Sequence, residues 1–265
     1  MKKVKTMGLF DILGRSPEEK EERRKNKFKK NALKTDALLS EFRPKITKNP
    51  QKVLYRNGIS KNVELAKTKE EYDICANQFK KWFDIPIEFF WTQRGFKQLG
   101  WPNRNKMSQF EWNSITKTIY DGFRAIAVAE QYEDLLEYNN RYFKELYPLI
   151  GRITIVVPSK NPKQFAIKMS SRDLSMKINL LTGFSLYKLG MFEVAYKVFI
   201  RIPYYEIFKF KNDEDDYERE VFKEYNNEIA PRDFIKRMEE EGNITANGKS
   251  DVSPSSEELE KESFD

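Results

Sequence analysis

The chain has 265 residues, with 48 lysines and arginines against 41 aspartates and glutamates, no histidine and a single cysteine, Cys75. These counts exclude Ser-His-Asp and Cys-His triads, two-histidine zinc motifs, Cys-rich metal sites and an internal disulfide. The composition therefore predicts no catalytic residue, metal or cofactor, and it favours a protein that is not an enzyme. An enzyme whose site is assembled from dispersed Asp, Glu and Lys residues stays open as an alternative.

Charge and hydropathy divide the chain into three regions. Residues 1–60 hold 17 Lys and Arg against 7 Asp and Glu, whereas residues 211–265 hold 8 against 18. The sequence predicts a basic N-terminal segment at 1–58, a helical domain at 59–241 and a disordered acidic tail at 242–265. No apolar run approaches the roughly 20 residues of a membrane-spanning helix, and no signal peptide is recognisable, so we expect a cytoplasmic protein.

The N-terminal segment contains one well-marked helix start. Ser16 is followed by Pro17 and two glutamates, the pattern of an N-cap with proline at the first helical position, and this predicts a helix over about 17–42. The first half of that helix has almost no apolar face, so we expect it to project into solvent or meet a partner. The second half should dock through its apolar residues, which are Leu33, Ala37, Leu38 and Phe42.

A cluster of cations in the first half of this helix has two candidate ligands. Basic clusters of this kind bind phosphate backbones or an anionic membrane surface. The cluster comprises Arg23, Arg24, Lys25, Lys27, Lys29 and Lys30. The preceding segment at 8–13, GLFDIL, resembles the opening of membrane-active amphipathic peptides. Residues 8–30 are therefore a candidate for contact with an anionic membrane.

Helical periodicity dominates the region from residue 60 to residue 150. Thr68 and Ser108 each begin a capping-box pattern, and the apolar residues that follow them are spaced for one buried helical face. Pro86 is expected to open a separate short helix, and the chain should turn near Gln131 before it continues as a helix. The two apolar stripes are Tyr72, Cys75, Phe79 and Trp82, and Trp112, Ile115, Ile119, Phe123 and Ile126.

A change of pattern at Arg152 predicts the β structure of the domain. Residues 153–157 are rich in β-branched side chains, residues 164–169 supply a second run of similar length, and PSKNPK between them contains turn-forming residues. We therefore expect a β-hairpin inserted at 152–169.

Two short antiparallel helices joined at a glycine are predicted after this hairpin. Gly183 and Ala195 are small enough for the two helices to approach closely, and Gly190 suits the left-handed residue that ends the first helix. Phe192 and Phe199 are expected to fill the space between the helices. A further helix is predicted at about 218–228.

The spacing of these residues over 176–207 resembles a single unit of the tetratricopeptide repeat family, whose stacked helix pairs bind other proteins. The resemblance implies a mainly α, helical-repeat-like bundle in which the first helix of the pair faces a protein or peptide. The partner-facing positions would be Lys177, Leu180, Phe184, Tyr187 and Lys188. Two lysines beside aromatic side chains would suit an acidic or aromatic peptide. An ordinary helical hairpin within an all-α domain is the alternative.

A second candidate surface combines aromatic and basic residues near Trp101. All four tryptophans lie between residues 82 and 112, where cations are interleaved with aromatic rings that can stack on bases. Most of these aromatics are expected in the core, whereas Trp101, Arg104 and Lys106 form a candidate loop for nucleic acid.

The sequence thus predicts a non-enzymatic adaptor for protein-protein interaction or regulation, built on a helical scaffold. A nucleic-acid-binding protein that uses the basic N-terminal helix and the Trp101 loop is the second hypothesis. A peripheral membrane-associated factor is the third.

Overall fold

The computed structural model describes residues 16–41, 50–91, 106–151, 154–156, 169–202 and 217–227, together with residues 236, 238 and 240. This part of the chain is mostly helical, which confirms the predicted mainly α class. Its elements are α1 (Pro17–Ser40), α2 (Pro50–Tyr55), α3 (Ile59–Leu65), α4 (Lys69–Trp91), β1 (Lys106–Ser108), α5 (Gln109–Val128), α6 (Tyr132–Arg141), a π-helical turn (Tyr142–Leu146), α7 (Tyr147–Ile150), β2 (Thr154–Val156), α8 (Ser171–Lys188), α9 (Phe192–Phe199) and α10 (Tyr217–Asn227).

Hydroxyl side chains begin the helices where the sequence predicts them. The Oγ atom of Ser16 and the Oγ1 atom of Thr68 each accept the backbone N–H three residues later, at 3.2 and 3.4 Å. Ser108 begins α5 with a complete capping box. Ser170 begins α8 in the same way, paired with Asp173 in place of the usual glutamate. Local side-chain chemistry therefore sets these helix starts.

Helix α4 continues through Pro86, so the prediction of a separate short helix there is wrong. A proline inside a helix costs about 3 kcal/mol, because it removes one backbone hydrogen bond. Trp82, Phe83 and Ile85, on the turn before it, are each at most 6% exposed. Burying three such side chains stabilises the helix by more than the proline costs.

The core is centred on an aromatic cluster between α4 and α5. Phe79 is fully buried, and its ring centroid lies 5.9 Å from that of Trp82, 5.7 Å from Phe83 and 5.4 Å from Phe123. The two helices can approach this closely because Gly122 of α5 has no side chain, and a Cβ atom there would lie 2.0 Å from Cδ2 of Phe79. Both predicted apolar stripes are buried, which confirms them.

Helix α1 packs on α3 and α4 through its second half, as predicted, but with a different face. Its first half docks as well, through Phe28 and Arg24, so the prediction that this half only projects into solvent or meets a partner is wrong at those positions. The residues that dock are Phe28, Ala32, Thr35 and Leu39, each at most 6% exposed, whereas Leu33 is 63% exposed. The prediction that Leu33 and Ala37 dock is therefore wrong, since Ala37 is exposed as well, whereas Leu38 is half-buried against the core and Phe42 lies outside the described residues. Spacings of three and four residues keep 28, 32, 35 and 39 on one face and leave position 33 away from it. Helix α2 contributes to the same core.

The helix pairs α5–α6 and α8–α9 are joined by the same turn. Glu130 and Gly190, 60 positions apart, have φ angles of 59° and 74°. The residues that follow them, Gln131 and Met191, have identical angles, φ −87° and ψ 61°. Their N–H groups donate to carbonyls five residues earlier, at 3.1 and 2.9 Å. This is the Schellman arrangement, and both predicted turn positions are confirmed.

Close packing within the α8–α9 pair involves two small residues, Gly183 and Ala195, as predicted. A Cβ atom on Gly183 would lie 2.4 Å from Cε1 of Phe199, and Ala195 is fully buried. Phe192 differs from expectation: it is 47% exposed, and its ring lies beside Tyr187 with 5.3 Å between centroids. It therefore covers the end of α8 at the surface and does not fill the space between the helices.

Strand β2 lies within the predicted β region but pairs with an earlier segment. It runs parallel to β1, with Met107 opposite Ile155. Residues 157–168, which include most of the predicted second arm, lie outside the described residues. The hairpin thus stays a prediction, and the pairing that is described joins 154–156 to the start of α5.

The two glycines of the α8–α9 pair should respond differently to alanine. Gly183→Ala drives a methyl group into the buried Phe199 ring, so we expect a loss of about 2 kcal/mol in the free energy of unfolding. Gly190→Ala meets no atom within 4 Å and only strains the left-handed backbone, which costs about 1 kcal/mol. Urea titrations of both variants measure the difference. Equal losses of unfolding free energy in the two variants would mean that the close contact between Gly183 and Phe199 contributes no more than the backbone strain at Gly190.

Candidate interaction groove

Helix α10 contacts residues of α4, α5 and α8, and we call the surface of these three helices that it covers the groove. Phe222 of α10 is fully buried, and its ring centroid is 5.1 Å from that of Phe184 on α8. Phe184 in turn contacts Tyr132 at the start of α6, 6.1 Å between centroids. One aromatic side chain thus anchors α10 in an apolar floor, as amphipathic helices are anchored in the grooves of other proteins.

A charged contact fixes the register of α10 in the groove. Glu218 is 8% exposed, forms an ion pair with Arg124 of α5 and accepts a hydrogen bond from the Tyr72 hydroxyl at 3.2 Å. The side chains of Arg124 and Glu218 are 15% and 10% exposed, so the pair is largely removed from water. Removing either partner of such a pair leaves the other charge buried without its counter-charge, which strongly destabilises the fold.

A second polar contact lies at the rim of the groove, where α10 begins. The Tyr217 hydroxyl donates to Glu130, and Lys69 forms an ion pair with the same carboxylate at 3.3 Å. The hydrogen bond from Tyr217 lowers the pKa of Glu130 below its ordinary value, and the nearby Lys69 and Lys188 act in the same direction. The left-handed residue of the α5–α6 turn therefore also holds the start of α10.

The predicted partner-facing residues of α8 divide between this groove and its surroundings. Leu180 and Phe184 are buried, at 4% and 0% exposure. Lys177 lies over the Tyr120 ring, 5.3 Å from its centroid. Tyr187 is half-buried and Lys188 is exposed. The face that the resemblance assigns to a partner is thus covered at Phe184 by the chain's own α10.

Sequence reasoning missed the charged and polar residues that bind α10. Arg124 interrupts an otherwise apolar stretch of α5, and that interruption was the one local signal that could have found it. Tyr72 was assigned to the core only, and Glu218 lies in an acidic stretch with nothing to distinguish it. Because Arg124 and Glu218 are 94 positions apart, only the fold brings them together.

Comparison of the chain with protein-family models, curated proteins and solved structures finds no match. The function of the groove is therefore inferred from its own residues. Within the described residues, no helix has the length and apolarity needed to span a bilayer. The same part of the chain contains no cluster of three His, Cys, Asp or Glu side chains placed to hold a metal ion.

The predicted basic cluster on α1 is exposed except at Arg24. Arg24 forms ion pairs with Glu21 and Glu71, both at 2.7 Å, and also donates to the Leu65 carbonyl, so its guanidinium is committed to holding α1 against α4. The other five cations are exposed, and none forms an ion pair with the described residues. They are Arg23, Lys25, Lys27, Lys29 and Lys30.

The second part of the predicted nucleic-acid surface, the loop around Trp101, lies mostly outside the described residues. Trp101 and Arg104 lie outside the described residues, as do residues 8–15, and Lys106 is placed only as the first residue of β1. Trp82 and Trp112, in contrast, are 0% and 2% exposed, as expected for core residues. The proposed extension of the basic cluster through the Trp101 loop therefore stays a prediction.

The Tyr217–Glu130 contact should make the docking of α10 sensitive to acid. Because Glu130 has a lowered pKa in the folded state, its contribution is complete above pH 4.5, its ordinary value, and is lost as the pH falls through the folded-state pKa. Tyr217→Phe should cost less than about 1 kcal/mol at pH 7, since Glu130 is exposed, and the difference from wild type should decrease as the pH falls below 4.5. Urea titrations at several pH values test this. In a Glu130→Gln background the effect of Tyr217→Phe should not vary with pH.

Proposed function

We propose that the protein is a non-enzymatic interaction scaffold whose groove between α4, α5 and α8 binds an amphipathic helix. The observation that carries the proposal is the seating of α10, in which a buried aromatic residue and a buried carboxylate from one helix meet Phe184 and Arg124. A partner helix with an aromatic residue four positions after a carboxylate would match the spacing of Glu218 and Phe222.

The tetratricopeptide-like arrangement is part of this proposal. It is supported by two successive helix pairs with the same turn, and by the position of the groove against the first helices of both pairs, α5 and α8. The spacing of 60 residues is longer than the family's repeat of about 34, because the π-helical turn, α7 and β2 lie between the pairs. The family resemblance gives the groove the role of a peptide-binding surface.

A labelled peptide tests whether the groove accepts a helix in trans. The probe is a fluorescein-labelled copy of residues 217–227, and the readout is fluorescence anisotropy. Phe222→Ala in the full chain weakens the intramolecular helix, so this variant should bind the peptide at least tenfold more tightly than wild type. A peptide in which Phe222 is replaced by alanine is the matched control and should not bind. Failure of the unmodified peptide to bind either protein would contradict the proposal.

A pull-down from the source cell, with and without nuclease, tests the class of partner. A protein partner bound in the groove should survive nuclease treatment and should be retained more strongly by the Phe222→Ala variant than by wild type. Material lost on nuclease treatment would instead support the second candidate.

Nucleic-acid binding through α1 is that second candidate, and the five exposed cations of the helix support it. Electrostatic binding to duplex DNA should weaken with salt, with a slope of about −0.9 per phosphate contact. Replacing Lys25, Lys27 and Lys29 by glutamine should reduce this slope by about 2 to 3. The control replaces three exposed lysines elsewhere, Lys144, Lys197 and Lys223. Equal changes in both variants would leave only a diffuse effect of net charge.

A further inference from the structure

Exposed apolar side chains are concentrated at the turn between α8 and α9. Eight large apolar side chains are exposed in the described part of the chain, and five of them lie between residues 189 and 200. All residues from 188 to 194 are exposed, and a Cβ atom on Gly190 would meet no atom within 4 Å, so the turn protrudes from the domain. Four apolar side chains at its tip, each between 36% and 47% exposed, form what we call the turn patch: Leu189, Met191, Phe192 and Val194.

The backbone of this turn does not require apolar side chains, as the matching turn between α5 and α6 shows. The two turns have the same backbone angles, and Gln131 and Asp134 stand where Met191 and Val194 stand at the α8–α9 turn. Gln131 and Asp134 both accept hydrogen bonds from Lys80. Exposed apolar residues that the turn itself does not need are typical of a surface that binds another molecule.

The turn patch is flanked by positive charge. Residues 187–202 contain three exposed cations, Lys188, Lys197 and Arg201, against one exposed carboxylate, Glu193, which leaves a net charge of +2. Each lysine or arginine close to an anionic bilayer strengthens binding about fivefold. The surroundings of the patch are therefore complementary to a surface that combines apolar material with negative charge.

The size and shape of the turn patch favour a bilayer over a protein as its partner. A large apolar side chain covers roughly 150–250 Å² when it is fully buried. Four of them, each less than half exposed, present roughly 300 Å², well below the 800 Å² or so that each partner contributes to a stable protein interface. A protruding turn also lacks the concavity that encloses a peptide or a small ligand. A few apolar side chains beside cations are enough for reversible binding to the interface of an anionic bilayer.

We propose that the turn patch binds the surface of a bilayer rich in anionic lipids. Leu189, Met191 and Phe192 enter the boundary between headgroups and acyl chains, about 5–10 Å deep. Lys197 lies about 9 Å along α9 from Met191, which places it at the level of the lipid phosphates. Lys188 is closer to the tip, and its long side chain extends back to the same level. None of the contacts described for α10 involves the turn patch, so the proposal does not rest on the function proposed for the groove.

A fluorophore at the turn tests the proposal in the full chain. Met191→Cys is labelled with the environment-sensitive fluorophore NBD. Cys75 should not react, because it is fully buried and burial raises the pKa of its thiol. With vesicles of phosphatidylcholine and phosphatidylserine in equal parts, we expect a blue shift and a roughly twofold or greater rise in emission. Vesicles of phosphatidylcholine alone should produce a much smaller change, and an equal change would overturn the assignment to an anionic bilayer.

The matched control carries the same fluorophore on another exposed apolar position beside cations. Leu33→Cys lies on α1, and Leu33 is 63% exposed. A response to the vesicles at residue 33 and none at residue 191 would place the membrane on α1 and overturn the proposal. A response at residue 191 that rises with protein concentration in the absence of vesicles would assign the turn patch to a second copy of the chain, which would overturn it as well.

Unlabelled variants test whether the apolar side chains contribute to affinity. Met191→Gln combined with Val194→Asn should weaken binding to the phosphatidylserine vesicles, measured by co-sedimentation, roughly tenfold or more. Both positions are exposed and the matching turn holds polar residues there, so thermal unfolding should match wild type. The control, Leu33→Gln combined with Phe110→Gln, alters two exposed apolar residues elsewhere and should leave binding within about twofold. Equal weakening in the two variants, or no weakening in either, would contradict the proposal.

Discussion

Phe79→Ala should lower the free energy of unfolding by about 4 kcal/mol, the largest effect we expect from a single truncation in the core. Phe79 is fully buried and its ring contacts four other aromatic rings, so its removal leaves a cavity that the surrounding helices cannot close. The four rings are those of Trp82, Phe83, Phe123 and Tyr138. Tryptophan fluorescence during urea unfolding measures the loss, because Trp82 stacks directly on Phe79.

Gly122→Ala, made in both the wild-type and the Phe79→Ala chain, tests whether the loss of stability comes from a cavity beside Gly122 or from a general weakening of the core. In the wild-type chain the added methyl group would lie 2.0 Å from the Phe79 ring, so we expect a loss of about 2 kcal/mol. In the Phe79→Ala background that space is empty, and alanine is about 1 kcal/mol more favourable than glycine inside a helix. The same substitution should therefore destabilise one protein and stabilise the other. Additive losses in the double variant would show that α4 and α5 do not meet at Gly122.

The helices and much of the core could be predicted because their determinants are local. The capping residues Ser16 and Ser108 act on N–H groups three positions away, and the stripe that contains Ile119 and Phe123 follows from helical periodicity alone. The close approach at Gly183 was also predictable, since a small residue opposite a large one is visible in a single helix pair.

Other features were mispredicted because long-range packing outweighed a local rule. Pro86 normally ends a helix, but the burial of its neighbours keeps α4 continuous. Both turns of the helix pairs were predicted, but their likeness was not, because Glu130 holds the left-handed position that glycine holds at Gly190. Leu33 has the hydrophobicity of a core residue, yet the face of α1 is chosen by Phe28 and Leu39 together.

The candidate groove was predicted only in part, for the same reason. Phe184 was assigned to a partner-binding face, and the structure places Phe222 of the same chain against it. No periodicity in α8 indicates that a segment more than 30 positions later would cover it. Arg124 could not be recognised from the sequence, because its ion-pair partner in the groove, Glu218, lies far away along the chain.

Arg124→Met should destabilise the docking of α10 by about 3 kcal/mol, because it removes the ion pair of the buried Glu218 carboxylate and leaves that charge in place. Hydrogen–deuterium exchange of the 217–227 amides reports this loss locally, and urea unfolding reports it globally. The matched control is Lys81→Met, which removes an exposed ion pair with Asp36 at 3.6 Å and should cost less than about 1 kcal/mol.

A double variant separates the energy of the ion pair from the cost of leaving one charge behind. Glu218→Gln in the Arg124→Met background removes the buried charge, so the double variant should recover most of the loss and lie within about 1 kcal/mol of wild type. If Arg124→Met alone exchanged as slowly as wild type at residues 217–227, the ion pair would not hold α10. The anchoring would then rest on Phe222 and on the contact between Tyr217 and Glu130, and a partner helix would need an aromatic residue but no carboxylate.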